Sequence, residues 1–93
     1  MSKLSVTFSL IGDKKMRELN RRHRGIDHTT DVLSFKIAEE IPEGVYILGD
    51  VVVSKEQAEK WAKKLGHSVE EEIAFLAAHG VLHLLGVHHS DDS

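Results

Sequence analysis

Cysteine is absent from the 93 residues, which excludes disulfides and thiolate metal sites together. Any metal must be held by His, Asp or Glu. Proline occurs once, at Pro42, and the stretch around it, Ala38 to Gly44, reads as a loop. No apolar run reaches the roughly 18–20 residues of a membrane span, and the Met-Ser-Lys start lacks the apolar core of a secretory signal. A cytoplasmic protein without a membrane partner is therefore expected. A basic excess is missing as well: 12 Lys+Arg stand against 15 Asp+Glu, for a formal charge of −3. That balance argues against a domain that coats nucleic acid indiscriminately.

What remains is ordinary in composition, 41% hydrophobic and 29% charged, which belongs to the soluble globular range. The length suits one domain, residues 1–93, burying roughly 60–65% of the surface that the unfolded chain exposes. Leu4, Val6, Phe8 and Leu10 alternate with Ser5, Thr7 and Ser9, the period of a half-buried strand. Asp13 is a plausible N-cap for a helix over about Lys14 to His23, with Met16 and Leu19 inward and Gly25 as its stop. A second strand fits Asp31 to Ile37, where Leu33, Phe35 and Ile37 share a face. Tyr46 to Val53 is apolar on both faces, as an interior strand is, with Gly49-Asp50 interrupting it in either a structural or a catalytic role.

Two capping boxes follow. Ser54 with Gln57 opens a helix closed by Gly66, whose stripe Ala58, Trp61, Ala62 and Leu65 faces the core. Ser68 with Glu71 opens the next, where Ile73, Leu76, Ala77, Gly80 and Leu84 keep the helical period. The expected fold is α+β: a small mixed β-sheet of three or more strands packed against helices, the last helix ending at Gly86.

That last helix carries the chemistry. His79 and His83 are four residues apart, hence on one helical face about 5–6 Å from each other. Gly86 can end the helix in the left-handed conformation and turn the chain so that a third imidazole approaches. Both histidines lie in an apolar run, where an unpaired imidazole costs free energy on burial and a metal removes that cost. A half-buried helix end with a solvated tail is the plainer alternative. The position after His79 is Gly80, not the glutamate that a His-Glu-x-x-His protease uses as its base, so peptide hydrolysis is demoted. Lys14, Lys15, Arg17, Arg21, Arg22, His23 and Arg24 crowd one segment. They form either a solvated helix face or a local surface that holds a phosphodiester.

The stretch Asn20 to Phe35, Asn-Arg-Arg-His-Arg-Gly-Ile-Asp-His-Thr-Thr-Asp-Val-Leu-Ser-Phe, resembles the N-x-x-x-R-x-x-D-x-P-T-D-V-L-S-F segment of the YbeY endoribonuclease family. Leu48-Gly49-Asp50 and His79-Gly-x-Leu-His-Leu-x-Gly-x-x-His89 match the family's other two signatures in order. The resemblance implies a zinc-dependent, single-strand-specific endoribonuclease that acts in ribosomal RNA maturation, at the 3′ end of small-subunit rRNA, and in ribosome quality control. The implied partners are single-stranded or ribosomal RNA and the ribosome or small-subunit proteins, with no DNA. It assigns one Zn2+ to His79, His83 and His89, and the family's functional arginine to Arg24, beside which Arg21 and Arg22 are candidate substrate-binding residues. Thr29 and Lys36 stand where the pattern differs, and Val87-His88 replaces Tyr-Asp, which sets a competing imidazole beside His89. The chain is also shorter than typical members at both ends. Rival functions are a metal-stabilised ribosome-binding module without cleavage and a metal-dependent peptide or ester hydrolase.

Overall fold

The computed structural model describes residues 3 to 86, so His88 and His89 lie outside the described residues. Three strands form one sheet: β1 (Lys3–Ile11), β2 (Val32–Ile41) and β3 (Val45–Ser54). The strand order is β1-β3-β2, with β1 parallel and β2 antiparallel to the central β3. Helix α1 (Asp13–Arg24) follows β1, and α2 (Lys55–Leu65) and α3 (Val69–Leu84) follow β3. This is the expected α+β architecture with a mixed sheet. Among the described residues no helix is long and apolar enough to cross a membrane.

Alternation along β3 divides the core. Val51 and Val53 pack with Leu48, Ala58, Leu76 and Leu84 under α2 and α3. Val52, pointing the other way, packs with Met16 and Leu33 under α1. A strand covered by helices on both faces must be apolar on both, and Val51, Val52, Val53 are all buried. Burial of each such side chain contributes about 1.5–3 kcal/mol.

Several local expectations give way to tertiary contacts. The N-cap of α1 is Gly12, with no side-chain cap bond. Asp13 instead turns inward, where its carboxylate accepts from Thr29 Oγ1 at 2.8 Å, Ser54 Oγ at 2.6 Å and Gln57 Nε2 at 3.1 Å. Gln57 is thereby drawn away from its capping box, and only the Ser54 half forms, accepting from the Gln57 amide. The box of Ser68 and Glu71 is complete.

The segment expected as a loop from Ala38 is largely strand, since β2 runs to Ile41 and only a tight turn at residues 42–44 joins it to β3. The register shift between Lys36 and Glu39 opens a bulge, in which Ala38 takes a left-handed φ of 53°. Gly49 does not interrupt β3; it is buried within it. A Cβ there would collide with Phe35 O and stand 2.7 Å from Leu84 Cδ2. The face of β1 expected to be half-buried is largely open, with Leu4 66%, Phe8 47% and Leu10 43% exposed. Leu65, assigned to the core stripe of α2, is also exposed.

Candidate active site

Helix α3 lies across β2 and β3, and its close seat depends on Gly80. A Cβ at Gly80 would stand 2.5 Å from Val51 Cγ1 and 3.0 Å from Ser34 Oγ. The Ser34 hydroxyl donates to the Gly80 carbonyl at 2.8 Å, fastening the helix to β2 between the two histidines. A glutamate at this position has no room, which gives the missing protease base a steric reason.

With Gly80 facing the sheet, His79 and His83 come to the side of α3 that borders β2. Their rings are half-buried and stand 4.4 Å apart between centroids at 55°. Phe75 stacks near His79 at 6.5 Å. Helix α3 ends at Leu84, with Leu85 as its cap. Gly86 then adopts a φ of 86°, its amide donating to His83 O at 3.0 Å. The left-handed conformation expected of Gly86 is therefore present, two residues beyond the helix.

The opposite wall comes from the end of α1. Gly25, at φ 71°, closes that helix by donating to Arg21 O at 3.1 Å. Buried Asn20 donates its Nδ2 to His28 O at 2.9 Å, tying α1 to the connection that leads into β2. Arg17 grips Asp27 through two bonds, 3.0 and 3.3 Å, and this hydrogen bond and charge hold the Asp27 carboxyl below its ordinary range. The result is a cleft of about 280 Å³ lined by Arg24, Thr30, Asp31, Ser34, Lys36, His79 and His83 among others. Arg24 thus shares a cavity with both histidines. Arg21 and Arg22 do not line it; Arg22 reaches Glu18 at 3.6 Å along the helix.

Sequence reasoning passed over Thr30, Asp31, Ser34 and Lys36 as cleft residues. A signal was present for two of them: with Leu33, Phe35 and Ile37 on one face of β2, Ser34 and Lys36 must share the other. Among the described residues no group of three metal-ligating side chains is found; His89, the third ligand that the resemblance implies, lies outside them. The donors that are present suit a metal. Two imidazoles on adjacent helical turns, partly removed from water and with no thiolate, form a nitrogen donor pair of the kind zinc and other late first-row ions accept.

The whole chain, residues 1–93, matches the family described as Endoribonuclease YbeY. The chain belongs to the YbeY family. It is 46% identical over 89 residues to the Endoribonuclease YbeY of Aquifex aeolicus, covering 96% of this chain and 59% of the relative. It is 50% identical over 88 residues to that of Helicobacter pylori, covering 95% and 61%. The solution structure of TM1509 from Thermotoga maritima superposes with a TM-score of 0.65 at 33% identity, covering 98% of this chain and 57% of that one. The chain thus spans about 60% of the length of these YbeY relatives. Thr29, where the family pattern carries proline, uses a hydroxyl that proline lacks to bond Asp13.

Proposed function

We propose that this chain is a zinc-dependent, single-strand-specific endoribonuclease of ribosomal RNA maturation and quality control. One observation carries the reading: His79, His83 and the guanidinium-bearing Arg24 line the same cleft. It is supported by the relatives, each an Endoribonuclease YbeY by name.

In this reading His79 and His83, with His89 assigned by resemblance, hold one zinc ion per chain. When bound, the ion supplies Lewis acidity toward a phosphoryl oxygen. Arg24 offers a planar, permanently charged fork that binds the scissile phosphate and offsets charge building on its oxygens. Lys36 adds a second positive charge to the same cleft, and together the two draw a polyanion to a chain of net charge −3. Ribosomal RNA and small-subunit proteins are the partners this reading entails, in the cytoplasm.

Cleavage of a short single-stranded RNA by wild type, Arg24→Ala and His83→Ala tests it. Wild type should cut and both variants should lose about 100-fold or more. Equal cleavage by all three would dismiss the assignment. Ribosome association without any cleavage would favour the rival reading of a binding module.

A further inference from the structure

The cleft is not electrically uniform along its length. Two contacts fix how α3 lies on β2: the Ser34 hydroxyl meets the Gly80 carbonyl, and the Leu84 side chain lies against Gly49, the ladder partner of Lys36. Four residues of helix therefore match two residues of strand, about 6 Å against about 7 Å. Helix and strand run side by side in the same direction. Lys36 accordingly sits at the His83 end of the cleft, level with Leu84 and one helical turn beyond Gly80. Asp31 sits at the other end, ahead of Val32, and from Val32 to Lys36 is about 13 Å of strand. That separation exceeds the screening length of about 8–10 Å at ordinary ionic strength. Asp31 does not neutralise Lys36, and the cleft runs from a carboxylate to an ammonium.

The backbone sets Lys36 in this place. Ser34 and Lys36 alternate onto the same face of β2, and the ladder breaks immediately after Lys36, at the bulge that holds Ala38. Bulges bend a strand and re-aim side chains beside active sites. The His23 ring meets Phe35 at 4.5 Å between centroids, which brings the end of α1, and Arg24 with it, alongside the same stretch of β2. Ser34 is committed to Gly80. Among the described residues Lys36 is the one charged β2 side chain that lines the cleft.

We propose that Lys36 forms a second phosphate subsite, holding the phosphate next to the one at Arg24, so that an RNA strand lies along β2 with its backbone leading from the histidines toward Lys36 and not toward Asp31. An ammonium binds phosphate as a point charge and reads no base. The proposal rests on the reading of the cleft as an RNA site. It makes Lys36 a residue of substrate positioning: a contact made equally with bound substrate and transition state changes KM and leaves kcat.

Binding of a short single-stranded RNA to the full chain is followed by fluorescence anisotropy from 50 to 200 mM salt, in a His83→Ala background that suppresses cleavage. With circular dichroism unchanged, Lys36→Ala should weaken binding about fivefold at the low-salt end and flatten the logarithmic salt slope by about 0.7. Lys36→Arg should restore both. Lys64→Ala, which removes a charge standing over Trp61 on α2, should change neither. With His83 intact and zinc supplied, Lys36→Ala should raise KM at constant kcat, and the advantage of a trinucleoside diphosphate over a dinucleoside monophosphate should shrink by the same factor. Binding of wild-type strength in Lys36→Ala, an equal loss in Lys64→Ala, or a fall in kcat at constant KM would overturn the proposal. The two readings fail separately: RNA that binds through Lys36 and is never cut leaves the subsite and removes the nuclease, whereas cleavage indifferent to Lys36 does the reverse. Absence of any RNA binding removes both.

Discussion

Replacing Gly80 by alanine sets two effects against each other, and their magnitudes decide the sign. In an exposed helix interior the change stabilises by about 1 kcal/mol, because glycine loses more backbone freedom on folding. At Gly80 the new Cβ would fall 2.5 Å from Cγ1 and 3.2 Å from Cγ2 of Val51, whose side chain is only 1% exposed. Val51 cannot swing away, so α3 must lift from the sheet, and overpacking of this kind costs about 1–3 kcal/mol. The bond from Ser34 Oγ to the Gly80 carbonyl, 2.8 Å long, lengthens with it and forfeits up to about 1 kcal/mol more. A net loss of about 2 kcal/mol is expected, read in urea as a midpoint lowered by on the order of 1 M at unchanged slope. Because the damage is a contact, Val51→Ala should relieve part of it: the double variant should be more stable than the sum of the singles by about 1 kcal/mol. A Gly80→Ala protein as stable as wild type, or strict additivity with Val51→Ala, would refute the close-packing reason for glycine beside His79.

Ala38, at a φ of 53° in the β2 bulge, should gain about 1 kcal/mol in urea unfolding on change to glycine, since a side chain in the left-handed region costs about that much. Burial pushes the Asp13 carboxyl up, but hydrogen bonds from Ser54, Thr29 and Gln57 and the charge of Lys60 outweigh it and hold the group below its ordinary 3.8. The stability it contributes is full above that value and is lost as pH falls through the lower folded-state value. Unfolding midpoints measured below pH 4 should therefore fall less steeply for Asp13→Asn than for wild type. Arg24→Lys keeps the charge but loses the fork, so RNA cleavage should recover only partly relative to Arg24→Ala. Full recovery would show that positive charge alone suffices.

What could be read in advance was local. The capping box at Ser68, the stop glycines at Gly25 and Gly66 and the pairing of His79 with His83 each involve residues within a few positions of one another, where spacing determines geometry. The failures came where a distant partner competed. Local spacing assigns Asp13 to cap its own helix, but the hydroxyls of Ser54 and Thr29 claim it, and the Gln57 side chain bonds the same carboxylate. Period-2 patterning gave β1 an apolar face but could not say whether anything covers it. The cleft itself was half legible: the histidine spacing specified one wall, and the family motif pointed to Arg24. Alternation along β2 puts Ser34 and Lys36 on one face, but that this face meets the histidines follows from pairing β2 with β3, which no local spacing encodes. Proline at position 42 suggested a long loop, yet the strand runs up to its neighbour, because a proline in a hairpin turn removes no ladder bond.

Zinc titration by calorimetry on wild type and His83→Ala, with Arg24→Ala as the control, bears most directly on the claim that α3 grips a metal in the cleft. One ion per wild-type chain is expected, with affinity lowered about 100-fold or more in His83→Ala and unchanged stoichiometry in Arg24→Ala. Equal zinc affinity in wild type and His83→Ala would contradict it.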